Sequence, residues 1–190
     1  MKMRIVVVVD MQNDFITGPL GTPEAQAIVP IMANRLKELD DGNTLILYTK
    51  DTHDSNYMDT QEGKNLPVPH CIEGTSGWSI CKEISSTADY GSTFYNYSTE
   101  DVIKGRILKN TFGSTKLAEI IKDISSRNDV YEIVFMGVCT GICVISNVLL
   151  VKAFCPEIKL TVDSSCCACV TPESHKTALE AMKMCQVNII

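Results

Sequence analysis

The chain has 190 residues, 45% of them hydrophobic and 21% charged, with a formal net charge of −6. That length suits one well-buried core and is short for two ordinary domains, so a single domain over residues 1–190 is expected. The acidic balance leaves no basic surface for phosphate backbones and no apolar run is long enough to span a bilayer, which argues against nucleic acid and membrane and for a small-molecule partner.

In chain order, Arg4 to Val9 is a β-branched run, the mark of a strand buried on both faces, and it ends at Asp10. The segment MQNDFITGPLG carries Gly and Pro punctuation and is expected to be loop. Thr22 as N-cap and Pro23 at the first helical position open a helix to about Leu39, with Ile28, Ile31, Met32 and Leu36 as its core face. Thr44 to Tyr48 is a second strand running out near Asp51. From Lys50 to about Asp101 no long periodic segment occurs, yet this stretch holds two of the three histidines. An irregular stretch of that length inside a compact domain is usually functional. Its aromatics Trp78, Tyr90, Tyr95 and Tyr97 suit either a pocket lining or packing of the loop.

Arg106 to Leu108 is a short strand ending at Lys109, followed by a helix carrying Leu117, Ile120, Ile121 and Ile124. Tyr131 to Met136 and Ile158 to Val162 are further strands. Thr171-Pro172-Glu173 repeats the cap signature of the first helix and opens one to about Cys185, and a strand from Val187 to Ile190 closes the chain. Strands alternating with helices specify an α/β fold: three layers, with about six mostly parallel strands and helices on both faces. Ligands of such sheets bind beyond the carboxyl ends of the strands, at a switch point. Asp10, Asp51, Lys109 and Cys143 all fall at or just past strand ends.

Several of the nine cysteines lie inside apolar runs, and no export signal is visible, so most are expected to be reduced core thiols of a cytoplasmic protein. Cys166, Cys167 and Cys169 lack a second CxxC pair and favour packing over metal binding. Cys143 differs. In VFMGVCTGICV a strand breaks at Gly137 and a helix starts at Cys143, where the positive end of the helix dipole favours a thiolate. A cysteine nucleophile needs a base and a cation; Asp10 and Lys109, each at a strand end, can supply them, although Lys104 lies close to Lys109. In the irregular stretch, Asp51 and His53 project to one side of an extended segment and can share a metal, with His70 as a third ligand and Glu62 as a further member. That N/O set suits zinc, iron or manganese better than magnesium or calcium. His175, in a helix without acidic or thiol neighbours in sequence, is expected to be a packing or hydrogen-bonded residue.

DMQNDF (Asp10 to Phe15), LKNTFGS (Leu108 to Ser114) and GVCTGICV (Gly137 to Val144) resemble, in order, the three motifs of the isochorismatase-like cysteine hydrolases. DTHD (Asp51 to Asp54) and PVPHCIEGTSGW (Pro67 to Trp78) are similar to the loops of that family's nicotinamidase branch. The resemblance implies that Asp10 is the base, Lys109 the cation and Cys143 the nucleophile. It further implies a cis peptide from Val138 to Cys139, an oxyanion hole from the backbone N–H groups of Cys139 and Cys143, and a pocket that includes Phe15 and Val138. It assigns one divalent metal, zinc first and iron or manganese otherwise, to Asp51, His53, His70 and Glu62. The implied activity is hydrolysis of a small amide, nicotinamide above all, in NAD salvage, and a homo-oligomer is left open. Pro67 stands where nicotinamidases commonly carry an aromatic to stack on the pyridine ring, which moves stacking to Phe15 or another loop aromatic. Two alternatives remain: the same triad acting on another small amide or ureido compound, and a non-catalytic metal-binding or interaction domain on the same fold.

Overall fold

The computed structural model describes residues 2–86, 102–103 and 106–190. Its elements are β1 (Lys2–Val9), α1 (Asn13–Ile16), α2 (Pro23–Leu39), β2 (Thr44–Asp51), α3 (Gln61–Asn65), α4 (Lys82–Ser85), β3 (Val102–Ile103), β4 (Arg106–Lys109), α5 (Thr115–Arg127), β5 (Asp129–Val138), α6 (Ile145–Phe154), β6 (Lys159–Ala168), α7 (Pro172–Met184) and β7 (Asn188–Ile189). The strands form one sheet in the order β3-β4-β2-β1-β5-β6-β7. All pairings are parallel except that of β3 with β4, so six parallel strands carry a two-residue antiparallel edge, as the alternating pattern predicts.

The valines and isoleucine of β1 place it at the centre. Ile5, Val6, Val7, Val8 and Val9 are each no more than 1% exposed, and full burial of such a side chain contributes about 1.5–3 kcal/mol. From β1 the chain crosses to β2 on one side; from β5, on the other side of β1, it crosses to β6 and away. Right-handed crossovers in opposite directions put α2 and α6 on opposite faces, and the order reverses between β1 and β5. The carboxyl ends of β4, β2, β1 and β5 therefore stand side by side at the crevice. Gly137 pairs with Val9 there. Its φ is 128°, and a Cβ on it would stand 2.1 Å from the Val9 carbonyl oxygen, so any side chain would push these two strands apart.

The helix starts follow the sequence. The Thr22 hydroxyl accepts the Ala25 N–H at 3.0 Å, Ser114 accepts the Leu117 N–H at 3.1 Å, and Thr171 and Ser174 cap each other. Leu117, Ile120, Ile121 and Ile124 are buried as expected. The stretch after Lys50 holds only short elements among its described residues, a tight turn at Tyr57–Asp59 with α3 and α4. Three expectations are corrected. MQNDFITGPLG holds the helical turn α1. Ile31 is 47% exposed, because the buried arc of α2 runs through Ala25, Ile28, Val29, Met32, Ala33, Leu36 and Leu39. At 100° per residue Ile31 falls roughly 130° from the centre of that arc. Finally, β6 runs on to Ala168 and takes in Cys166 and Cys167, which are buried in the core with Cys169 close behind.

All nine cysteines are free and only Cys185 is exposed. Tyr90, Tyr95, Tyr97 and Lys104 lie outside the described residues. Among the described residues no helix is long and apolar enough to cross a membrane.

Candidate active site and metal centre

Asp10 follows the last residue of β1 with φ 51°, a left-handed conformation that turns its side chain across the strand ends. It is fully buried. The Thr49 hydroxyl donates to Asp10 Oδ1 at 2.7 Å, and Asp10 Oδ2 lies 2.7 Å from Lys109 Nζ. Lys109, the last residue of β4, reaches two further groups: Asp51 Oδ1 at 3.3 Å and Cys143 Sγ at 3.7 Å. One buried ammonium thus stands among Asp10, Asp51 and Cys143, drawn from three strand ends and the turn after a fourth.

Burial pushes the Asp10 carboxyl above its ordinary range, and the Lys109 charge offsets only part of that. For Lys109 burial works downward, but the charges of Asp10, Cys143 and Asp51 outweigh it, so the ammonium is held charged. The Cys143 thiol is pushed well above the ordinary range, chiefly by burial, which Lys109 opposes without overcoming; the neighbouring Asp10 charge and a hydrogen bond with that carboxyl add to the rise. With Cys143 7% exposed, burial works against the thiolate that its place near a helix start favours.

Cys143 sits in a wide helical turn, Thr140–Val144, in which the Cys139 carbonyl accepts both the Ile142 N–H at 3.0 Å and the Val144 N–H at 3.1 Å. The Val138–Cys139 peptide is cis. Two residues that the sequence did not single out fix this turn. Buried Asn147 donates to the Cys143 carbonyl at 2.8 Å and to the Phe112 carbonyl at 3.2 Å, and accepts the Ser114 N–H at 2.9 Å, tying Cys143 to the loop after Lys109. On the other side the Thr140 hydroxyl and His175 Nδ1 are hydrogen-bonded at 2.8 Å, the hydrogen-bonded role expected for that histidine.

Next to Asp10, Lys109 and Cys143, donor atoms of Asp51, His53, Glu62 and His70 all lie within 4.8 Å of one another. Asp51 Oδ2 is 3.0 Å from His53 Nε2 and 3.3 Å from His70 Nε2. Glu62 Oε1 is 3.7 and 3.8 Å from the same nitrogens. Donors about 2.1 Å from a shared ion stand about 3.4 Å apart in a tetrahedron, so this spacing and the two-imidazole, two-carboxylate set fit a zinc-type ion. His70 Nδ1 is hydrogen-bonded to the Val68 carbonyl at 2.8 Å, which turns Nε2 toward the cluster. Burial works to raise the Asp51 carboxyl, but hydrogen bonds with His53 and His70 and the Lys109 charge hold it far below the usual range. Burial and the Asp51 charge raise Glu62. Asp51 is the hinge of the site: Oδ2 faces the imidazoles and Oδ1 faces Lys109.

A cavity of about 630 Å³ opens on the cluster, with His53, Tyr57, Glu62, Leu66, Phe112 and Ile142 in its lining. The Phe15 ring is half-buried, edge-on to His70 at 5.4 Å between centroids, and Val138 is buried at the end of β5.

An isochorismatase domain model matches residues 4–190, and the chain belongs to that family. A nicotinamidase of Saccharomyces cerevisiae is 28% identical over 109 residues, which cover 43% of this chain and 50% of that protein. The chain thus spans about half the length of this relative. Among solved structures, the pyrazinamidase/nicotinamidase of Streptococcus mutans superposes with a TM-score of 0.78 at 24% identity, covering 98% of this chain and 99% of that one. The pyrazinamidase of Pyrococcus horikoshii, solved in complex with zinc, superposes with a TM-score of 0.72 at 22% identity over 98% of both chains. Both share the fold described above.

Proposed function

We propose that the protein is a metal-containing amidohydrolase that cleaves the carboxamide of a small ring amide, nicotinamide first, through a thioester on Cys143. The observation that carries this reading is the single buried Lys109 ammonium shared by Asp10, Cys143 and Asp51. It joins a nucleophile and its base to the metal-type cluster in one site.

In this reaction Asp10 takes the Cys143 proton as the sulfur adds to the amide carbon, a transfer for which a buried carboxylate of raised pKa is matched. Lys109 keeps its charge throughout and balances the negative charge that passes between carboxylate and sulfur. The backbone N–H groups of Cys139 and Cys143 receive the developing oxyanion; donors of this kind are worth about 3–4 kcal/mol each. Asp10 returns the proton to the leaving nitrogen, and ammonia departs. It then takes a proton from water, which opens the thioester, releases the carboxylic acid and restores the thiol. Asp51, His53, Glu62 and His70 would hold one divalent ion, zinc first with iron or manganese as alternatives, which would supply a Lewis-acidic anchor for the substrate's ring.

A second reading keeps the triad and changes the substrate to another small amide or ureido compound. Pro67, three residues before His70, favours it, since no aromatic side chain is offered at that position.

Ammonia release over a panel of amides and ureido compounds separates the two, with nicotinamide expected to be the fastest. His53→Ala is expected to lose the metal by elemental analysis and most of the activity, and a chelator should do the same to the wild type. Full turnover by chelated protein would contradict the metal's part, and ammonia only from a ureido compound would replace the substrate.

A further inference from the structure

Both histidines of the metal-type cluster are tied to one residue outside it. The Cys71 carbonyl accepts the His53 N–H at 3.0 Å, and Cys71 follows His70 directly. Cys71 itself has φ 47°, a left-handed conformation that side-chain-bearing residues adopt uncommonly and at a cost. What holds it is Asp14, whose Oδ2 accepts the Cys71 N–H at 2.7 Å. Asp14 is fixed in turn by its own backbone, its N–H donating to the Gly77 carbonyl at 3.1 Å and its carbonyl accepting the Leu20 N–H at 3.0 Å. Gly77 lies so close that a Cβ on it would stand 2.2 Å from both carboxylate oxygens. The carboxylate is thus enclosed on one side and bonded on the other.

We propose that Asp14 is the positioning residue of the metal centre, holding Cys71 in its left-handed turn so that His53 and His70 face one ion. It touches neither ion nor substrate. Its effect is on how well the two imidazoles are prearranged; loss of a partner bonded directly to a ligating side chain weakens metal binding roughly 10- to 100-fold, and Asp14, acting one bond further out through the Cys71 backbone, is expected at the lower end of that range. This inference rests on the metal reading above.

The test titrates Zn²⁺ alone into metal-free full-length protein against a chromophoric chelator, so that affinity is read without activity. The wild type is expected to bind one equivalent. Asp14→Ala should bind roughly 10-fold more weakly, whereas Asp14→Asn, which keeps an acceptor oxygen, should stay within about threefold. Glycine adopts positive φ without being held, so adding Cys71→Gly to Asp14→Ala should recover most of the loss. A purely structural defect would not be rescued in this way. Gly77→Ala reaches the same carboxylate from the other side and should weaken binding even if Asp14→Ala does not fold. Wild-type affinity in Asp14→Ala or in Gly77→Ala, or a double variant no tighter than Asp14→Ala, would overturn the inference. A wild type that binds no Zn²⁺ would instead remove the metal reading on which it stands.

Discussion

Ion pairs bridge both ends of the central sheet, in very different surroundings. At the amino ends of β1, β5 and β6, Arg4, Glu132 and Lys159 pair at 3.5 and 2.7 Å with side chains 14–58% exposed. At the carboxyl ends of β1, β2 and β4, Asp10, Asp51 and Lys109 pair at 2.7 and 3.3 Å with side chains no more than 6% exposed. The first set is two cations about one carboxylate and the second is one ammonium between two carboxylates. Water screens the first set, and each charge there can be solvated if its partner is lost. Nothing replaces a partner in the second set, so every charge depends on the others and every pKa is displaced. That dependence leaves the Asp10 carboxyl raised above its ordinary range at one end, while the Glu132 carboxyl at the other end is held below it.

The largest expected effect is that of Lys109→Met, which leaves Asp10 buried beside no cation. It should cost about 3–5 kcal/mol of stability in urea denaturation along with the activity. Adding Asp10→Asn should return much of the stability and none of the activity. A loss under about 1 kcal/mol for Lys109→Met would make the two ends of the sheet alike. Next comes Asn147→Ala, which strips a buried donor from the Cys143 carbonyl and an acceptor from the Ser114 N–H. About 1–3 kcal/mol of destabilisation is expected, with kcat falling further than KM rises. An unchanged kcat would reduce Asn147 to packing.

The smallest effect belongs to the open end. Burial works to raise the Glu132 carboxyl, but hydrogen bonds from Lys159 and Thr161 and the charges of Lys159 and Arg4 hold it below the usual range. A depressed carboxyl stabilises the fold above its unfolded pKa of about 4.3 and loses that contribution as pH falls through the folded value. Glu132→Gln should therefore cost no more than about 1 kcal/mol near neutral pH, and wild type and variant should converge as pH falls below about 4. A gap that widens in acid would reverse the sign.

The same contrast explains what was legible in the sequence. Strand ends were readable because an apolar run that stops at a charge is a local signal: Asp10 ends the valine run of β1, and Asp51 and Lys109 close the shorter strands TLILYTKD and RILK. Helix starts at Thr22 and Thr171 were readable because caps are local too. Gln12 was not: its side chain donates to the Asp51 carbonyl at 2.8 Å and accepts the Asp51 N–H at 2.7 Å, contacts made 39 residues away across the sheet. Thr49, Asp14 and Asn147 escaped for the same reason, since a short polar side chain shows its value only once the partner arrives. Ile31 misled because apolar spacing alone does not say where the buried arc of a helix ends. Nor did position near a helix start show how deeply Cys143 is buried.

The most direct measurement is ammonia release from nicotinamide by Cys143→Ala, with zinc content determined on the same sample. No release above background at wild-type zinc content is the expected result. Turnover near the wild-type rate in that variant would show that Cys143 is not the nucleophile.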